Sequence, residues 1–112
     1  MRRIEAYIQP FMLARVVREL HGIHVHGLTV LEVKGFGREK DESYPHHAED
    51  YAVDFTPKTK LELLCRDEEV EALIEAILRG AQTGRRGDGK VYVTQVERAI
   101  SVRTGESGEA VL

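Results

Sequence analysis

The sequence predicts an α+β domain with elements in the order β-α-β-β-α-β, and three observations carry that prediction. Apolar and polar residues alternate at the start of the chain, the period of a strand with one buried face. Two later stretches place apolar residues at i, i+3, i+4 and i+7, the period of a helix that buries one stripe. Apolar and β-branched runs at residues 28–33 and 91–96 supply further strands. This order is the split β-α-β arrangement of ferredoxin-like folds, an antiparallel sheet with both helices on one face. Residues 1–112 are read as a single domain.

Each element has its own justification. Ile4, Ala6 and Ile8 alternate with Arg3, Glu5, Tyr7 and Gln9 to make the first strand. Pro10 ends it and suits the first turn of a helix. Leu13, Val16, Val17 and Leu20 then share one helix face, and Gly22 stops that helix. The second strand covers residues 28–33. Residues 35–51 break every pattern, and the polar stretch 37–51 is longer than a compact domain normally leaves unstructured. It is expected to be a flexible functional loop. Strand character resumes at residues 52–55, is expected to break at Pro57, and continues through Leu61, Leu63 and Leu64. Asp67 is the expected N-cap of the second helix, with Glu68 and Glu69 favouring its N-terminus. Val70, Leu73, Ile74, Ile77, Leu78 and Ala81 keep helical spacing. The fourth strand covers 91–96, a short tail strand is expected at 100–103, and the tail 105–112 is expected to be loose or docked on a neighbour. Leu31 and Val33 lie on the opposite parity from Val30, so the second sheet face is not purely polar and an oligomer is expected to bury it.

Composition narrows the functions. The chain carries 16 basic and 19 acidic residues, a net charge of −3, which argues against a nucleic-acid partner held by bulk charge. Arg85, Arg86 and Lys90 nevertheless cluster, with Arg98 and Arg103 further on, and this favours a small anionic ligand over a polyanion. No apolar run is long enough to span a membrane and no secretory signal is visible, so a cytoplasmic location is expected. The one cysteine, Cys65, sits in an apolar run and reads as an inert core thiol.

Residues 83–90 hold three glycines and three cations around Asp88. Glycines allow positive φ and close approach of a ligand, and successive N–H groups in such a turn can nest an anion. A plain connector, with Gly84 capping a helix, fits the same residues equally well. The spacing from Gly84 to Lys90 matches a P-loop, but Val91 stands where that motif needs Ser or Thr. A P-loop also runs from strand to helix, and this segment runs from helix to strand, so that reading is rejected.

Five histidines fall in two groups. His21, His24 and His26 read as solvated polar residues, with His24 and His26 alternating as if along a strand. His46 and His47, with Glu49 and Asp50, offer imidazole and carboxylate ligands for zinc, copper or nickel. No C-x-x-C or H-E-x-x-H spacing marks a preformed metal site.

Several stretches together match a known family over nearly the whole chain: Ile4-Glu5-Ala6, Pro10-Phe11, Gly27-Leu28-Thr29-Val30, Glu32-Val33-Lys34-Gly35-Phe36-Gly37-Arg38, Ala52-Val53-Asp54-Phe55, Pro57-Lys58 and Arg103-Thr104-Gly105-Glu106. Residues 83–90 match that family's second signature. The chain resembles the PII signal-transduction proteins, which sense nitrogen and energy status in bacteria, archaea and plastids. The resemblance implies a homotrimer that binds ATP or ADP in clefts between subunits. Gly87, Asp88, Gly89 and Lys90 resemble the family's phosphate loop. Thr29, Gly35, Phe36, Gly37, Arg38 and Arg103 fall on nucleotide positions, with Glu62 and Leu64 on the strand that meets the adenine. Residues 37–51 resemble the T-loop, which in relatives changes shape with the nucleotide and grips a partner, often an ammonium transporter. A flexible segment beside a phosphate site suits such a switch.

Departures from the family pattern sharpen these expectations. Glu39 stands where most relatives carry a glutamine that helps hold magnesium between ATP and 2-oxoglutarate. A carboxylate still suits magnesium. It also sets a negative charge beside a dianionic effector, and like charges about 4 Å apart cost on the order of 4 kcal/mol at an effective dielectric of 20. Lys58, the usual partner of the effector carboxylate, is present, and weak or absent 2-oxoglutarate sensing is expected. Ser101 replaces a second phosphate-contacting arginine, which removes a contact of roughly 1.5–3 kcal/mol. Met12 replaces a common lysine and is expected to alter a partner surface or signalling. Tyr51 occupies the position that some relatives modify with UMP, but its flank is less basic and packing is the preferred reading.

The leading expectation is a non-enzymatic regulator that senses ATP or ADP and controls an ammonium transporter or a nitrogen-metabolism enzyme through the loop. The alternative is a regulator of a different transporter, such as metal efflux, with a metal-responsive loop. No Ser-His-Asp arrangement or reactive cysteine points to an enzyme.

Overall fold

β1 (Arg2–Ile8) forms where the alternation requires it, and Ile4, Ala6 and Ile8 are all buried. The computed structural model describes residues 1–35 and 55–112. Pro10 opens a 3₁₀ turn, Pro10–Met12, that leads into α1 (Leu13–Gly22). Val16 and Leu20 are buried on α1, and the helix ends at Gly22 as expected. β2 (Thr29–Gly35), β3 (Thr56–Cys65), α2 (Val70–Ala81) and β4 (Gly89–Gln95) complete the predicted order.

The sheet order is β2-β3-β1-β4, and every neighbouring pair is antiparallel. The register aligns Val30, Leu61, Ala6 and Val91 in one row facing the helices. Leu61, Leu63 and Cys65 of β3 join Ile4, Val16, Leu20, Leu73 and Ile77 in one core between the sheet and both helices. The helices approach each other closely at Gly80, where a Cβ would lie 2.6 Å from the Val16 Cα. Ala76 and Gly80 are buried on α2, whereas Leu78 is exposed. The expected stripe was therefore right in period and wrong at Leu78, which lines a cavity beside Asp88, Gly89 and Lys90 instead of joining the core.

The opposite sheet face carries Leu31, Leu64 and Tyr92 among Arg3, Glu5, Lys60 and Glu62. Leu31 and Tyr92 keep 40% and 50% of their surface exposed, so neither helix covers this face.

Four local expectations are corrected. Pro57 does not break the strand: β3 runs through it, opposite Lys34 of β2. The β1 pairing reaches only to Thr59, so among the described residues one side of β3 has no ladder at Pro57 that needs an N–H. Asp67 is not the N-cap but the first residue of a 3₁₀ turn, Asp67–Glu69, that precedes α2. Arg66 takes the cap position, and its N–H donates to Glu69 Oε1 at 2.9 Å. No strand forms over 100–103; an isolated bridge joins Ile100 to Ser107, and a turn closes with Gly105 N–H donating to Ser101 O at 2.8 Å. Met12 is buried at 4% exposure, so it is a packing residue and not part of a partner surface. Burial does fit the reading of Cys65, which is fully enclosed and whose thiol pKa is pushed up by desolvation. No helix among the described residues is long and apolar enough to cross a membrane.

Candidate functional site

α2 ends at Ala81, Gln82 turns extended, and β4 begins at Gly89, so the glycine-rich run links helix to strand as the P-loop rejection requires. Asp88 shapes this link from within. Its Oδ2 accepts the Thr83 N–H at 2.8 Å and the Gly84 N–H at 2.9 Å, and its Oδ1 bonds the Thr83 hydroxyl. Thr83 Oγ1 in turn accepts the Arg85 N–H at 3.2 Å. Asp88 is thus the clamp of the loop, and the N–H groups of Thr83 and Gly84 are committed to it. An anion nest would draw on the later part of the loop.

Glycine is required at the junction with the sheet. Gly89 has φ +120°, and a Cβ there would fall 1.6 Å from the Tyr7 carbonyl oxygen. Lys90 follows opposite Tyr7, where β4 pairs with β1. The Gly87 carbonyl accepts two hydrogen bonds, from Gln9 Nε2 and from Lys58 Nζ, each at 2.8 Å. Lys58, expected to meet an effector carboxylate, is therefore held against the glycine loop. Gly35 lies at the same end of the sheet, where its carbonyl accepts the Thr56 hydroxyl at 3.2 Å. A cavity of about 250 Å³ opens beside the loop, lined by Ile8, Leu78, Gln82, Asp88, Gly89 and Lys90 among others.

A second group of candidates sits elsewhere on the sheet. Thr29 and Glu62 are cross-strand partners. The β2 pairing stops there while β3 continues to Cys65, so among the described residues 63–65 have β1 on one side and no strand on the other. Leu64 is 42% exposed at this strand edge. Glu62 bonds Lys60 Nζ at 3.1 Å, and Lys60 also reaches Glu5 at 3.4 Å. The Glu62 hydrogen bond is the first cause that holds the Lys60 pKa above its usual value, with Glu5 adding to it. The Lys60 ammonium lies 5.7 Å from the Tyr7 ring centroid, and Tyr7 meets Tyr92 edge to face.

These two groups are not adjacent in one chain. Gly89 aligns with Ile8 and Thr59, whereas Leu64 lies five residues further along β3, which is roughly 16 Å at the strand rise of about 3.3 Å per residue. Arg103 is exposed on the tail turn, where the Ser101 hydroxyl accepts the Thr104 N–H at 3.4 Å. Phe36, Gly37, Arg38, Glu39, His46, His47 and Tyr51 lie outside the described residues.

Sequence reasoning missed two side chains here. Gln9 reads as an outward polar residue of a strand, yet it is only 2% exposed. His26 reads as solvated and is exposed, but the sequence does not show that its Nε2 lies 2.8 Å from Glu69 Oε2. The Arg66 amide and then His26 hold the Glu69 pKa below the ordinary carboxylate range. His24 sits in a turn with φ 56° and not on a strand. Among the described residues no group of three or more His, Cys, Asp or Glu is arranged to hold a metal ion.

Several known proteins are similar to this chain over nearly its whole length. The family model for Nitrogen regulatory protein P-II matches residues 1–106. The Nitrogen regulatory protein P-II of Rhodospirillum rubrum is 52% identical over 108 residues, covering 96% of each chain. The protein of that name from Rhizobium meliloti is 50% identical over 108 residues, again 96% of each chain. The one from Haemophilus influenzae is 50% identical over 109 residues, or 97% of each.

Proposed function

This chain belongs to the nitrogen regulatory protein P-II family, and we propose that it is a non-enzymatic cytoplasmic regulator that binds ATP or ADP in clefts between the subunits of a homotrimer. Gly87, Gly89 and Lys90 grip the phosphates, and Asp88 keeps their loop in shape. Thr29, Glu62 and Leu64 of a neighbouring subunit meet the base, where among the described residues β3 beyond Glu62 has a strand on one side only. Gly35, Phe36, Gly37 and Arg38 line the cleft, with Arg103 adding a cation. The loop 37–51 reports the bound nucleotide to a partner, an ammonium transporter or an enzyme of nitrogen metabolism.

The observation that carries this reading is the separation of the two candidate groups. One aligns with Thr59 through Ile8, and the other runs from Glu62 to Leu64 of β3, so they are separate surfaces of the chain. The uncovered sheet face between them, with exposed Leu31 and Tyr92, is a surface on which a second copy could bring them together. Magnesium suits the Glu39 carboxylate, but that charge opposes 2-oxoglutarate, so effector sensing is weak.

Calorimetric titration with ATP, ADP and AMP, run beside light scattering, tests the reading. Micromolar binding of ATP or ADP by a particle of three chains is expected. A monomer, or a trimer without nucleotide affinity, contradicts it. Micromolar 2-oxoglutarate affinity in the presence of Mg-ATP contradicts the effector part alone.

A further inference from the structure

Gln9 is a polar side chain buried at the end of β1, and its amide donates to the Gly87 carbonyl across 78 residues of sequence. Lys58 donates to the same oxygen. A carbonyl oxygen has two lone pairs and accommodates both donors. The donors differ in how firmly they are held. Lys58 is half-buried and ends in a flexible ammonium that can turn towards another anion. Gln9 is enclosed, and its backbone is fixed on both sides. Pro10 biases it to the extended conformation it adopts, φ −67° and ψ 134°, and its own carbonyl accepts the Met12 N–H at 2.9 Å.

The peptide between Gly87 and Asp88 is planar and trans, so fixing the Gly87 oxygen fixes the Asp88 N–H in the opposite direction. We propose that Gln9 is a positioning residue for the phosphate loop: it holds the Gly87 carbonyl inward, so that the Asp88 N–H faces the phosphate chain, and it keeps that hold when Lys58 leaves Gly87 for an anionic ligand. This rests on the reading of residues 87–90 as a phosphate site. Lys58 is the exchangeable donor and Gln9 the permanent one. Nucleotide grip and effector engagement are thereby separable, because one donor stays on Gly87 while the other changes partners.

The test is Gln9→Met, which keeps the volume and removes the donor, titrated calorimetrically with ATP, ADP and adenosine beside the unaltered protein. ATP and ADP affinities are expected to fall about tenfold, the scale of one lost hydrogen bond. Adenosine affinity is expected to stay unchanged, since it lacks the phosphates that the loop holds. Unchanged ATP affinity in the variant overturns the proposal, and so does an equal loss for adenosine, which would mark general damage. An unaltered protein that binds neither ATP nor ADP overturns the phosphate reading itself, and this proposal with it. If Gln9→Met does not fold, proton exchange of the Gln9 side-chain amide in the unaltered protein decides the matter. Slow exchange that persists with ATP bound supports the hold, and fast exchange in that state overturns it.

Discussion

The glycine loop and the sheet face around Glu62 are both candidate walls of a nucleotide cleft, but they are built by different means. The loop is fixed by hydrogen bonds to its own backbone: Asp88 holds the Thr83 and Gly84 amides, and Gln9 and Lys58 hold the Gly87 carbonyl. The face is lined by ion pairs among Arg3, Glu5, Lys60 and Glu62 that remain partly open to solvent. Backbone-anchored bonds with a buried member specify one geometry, whereas exposed ion pairs contribute little, typically about 0–1 kcal/mol each. The difference teaches that one wall is formed within the single chain, while the other has the character of a surface that a neighbour completes.

The largest expected effect comes from Gly89→Ala, at the root of the loop. Its φ and the clash with the Tyr7 carbonyl force β4 away from β1. A loss on the order of 3–5 kcal/mol in urea unfolding is expected, with nucleotide binding abolished. Normal stability would show that the loop tolerates a different root. Next comes Asp88→Ala, which leaves the Thr83 and Gly84 amides without their acceptor. It is expected to lower ATP affinity at least tenfold and stability by about 1–3 kcal/mol, read by calorimetry and by denaturation. Equal ATP affinity would show that the clamp is irrelevant to the grip.

The face should respond more weakly in the isolated fold. Lys60→Met removes the ion-pair hub beside Glu5 and Glu62. Less than about 1 kcal/mol of change in chain stability is expected, with any larger response confined to subunit association. A large loss in dilute monomer would show that the face is as preorganised as the loop.

The smallest effect is electrostatic and lies at Glu69, away from the glycine loop, in a cavity that Leu64 also lines. A carboxylate whose folded pKa is depressed adds stability above its unfolded value and loses it as pH falls through the folded one. Glu69, bonded to the Arg66 amide and His26, is such a group. Its contribution should therefore fade as pH drops below the ordinary glutamate value of about 4.3. Glu69→Gln should flatten that part of a melting-temperature profile, and an unaltered acid limb would remove Glu69 from the account.

How much of this was legible in the sequence depended on whether the signal was periodic. Ile4, Ala6 and Ile8, and the stripe from Val70 to Ala81, announce their elements because burial repeats at the period of the backbone. Pro57 misled because its tolerance depends on how far β1 extends beside β3, which is a register fact and not a composition fact. Asp67 misled because cap preference ranks residue types, whereas here Glu69 reaching back to Arg66 sets the turn. The glycine run was visible as chemistry, since positive φ demands glycine. Gln9 was not visible, because an outward polar residue on a strand looks solvated until the chain brings Gly87 across it.

The central claim is that the two walls come from different chains, and mixing two damaged chains tests it most directly. Lys90→Gln harms the loop wall, and Leu64→Asp harms the face wall, so each variant alone should bind ATP poorly. Co-refolded in equal amounts as a trimer, roughly a quarter of the clefts should pair an intact loop with an intact face. Calorimetry is expected to recover that fraction at the affinity of the unaltered protein. A mixture that binds no better than either variant would place both walls within one chain and contradict the account.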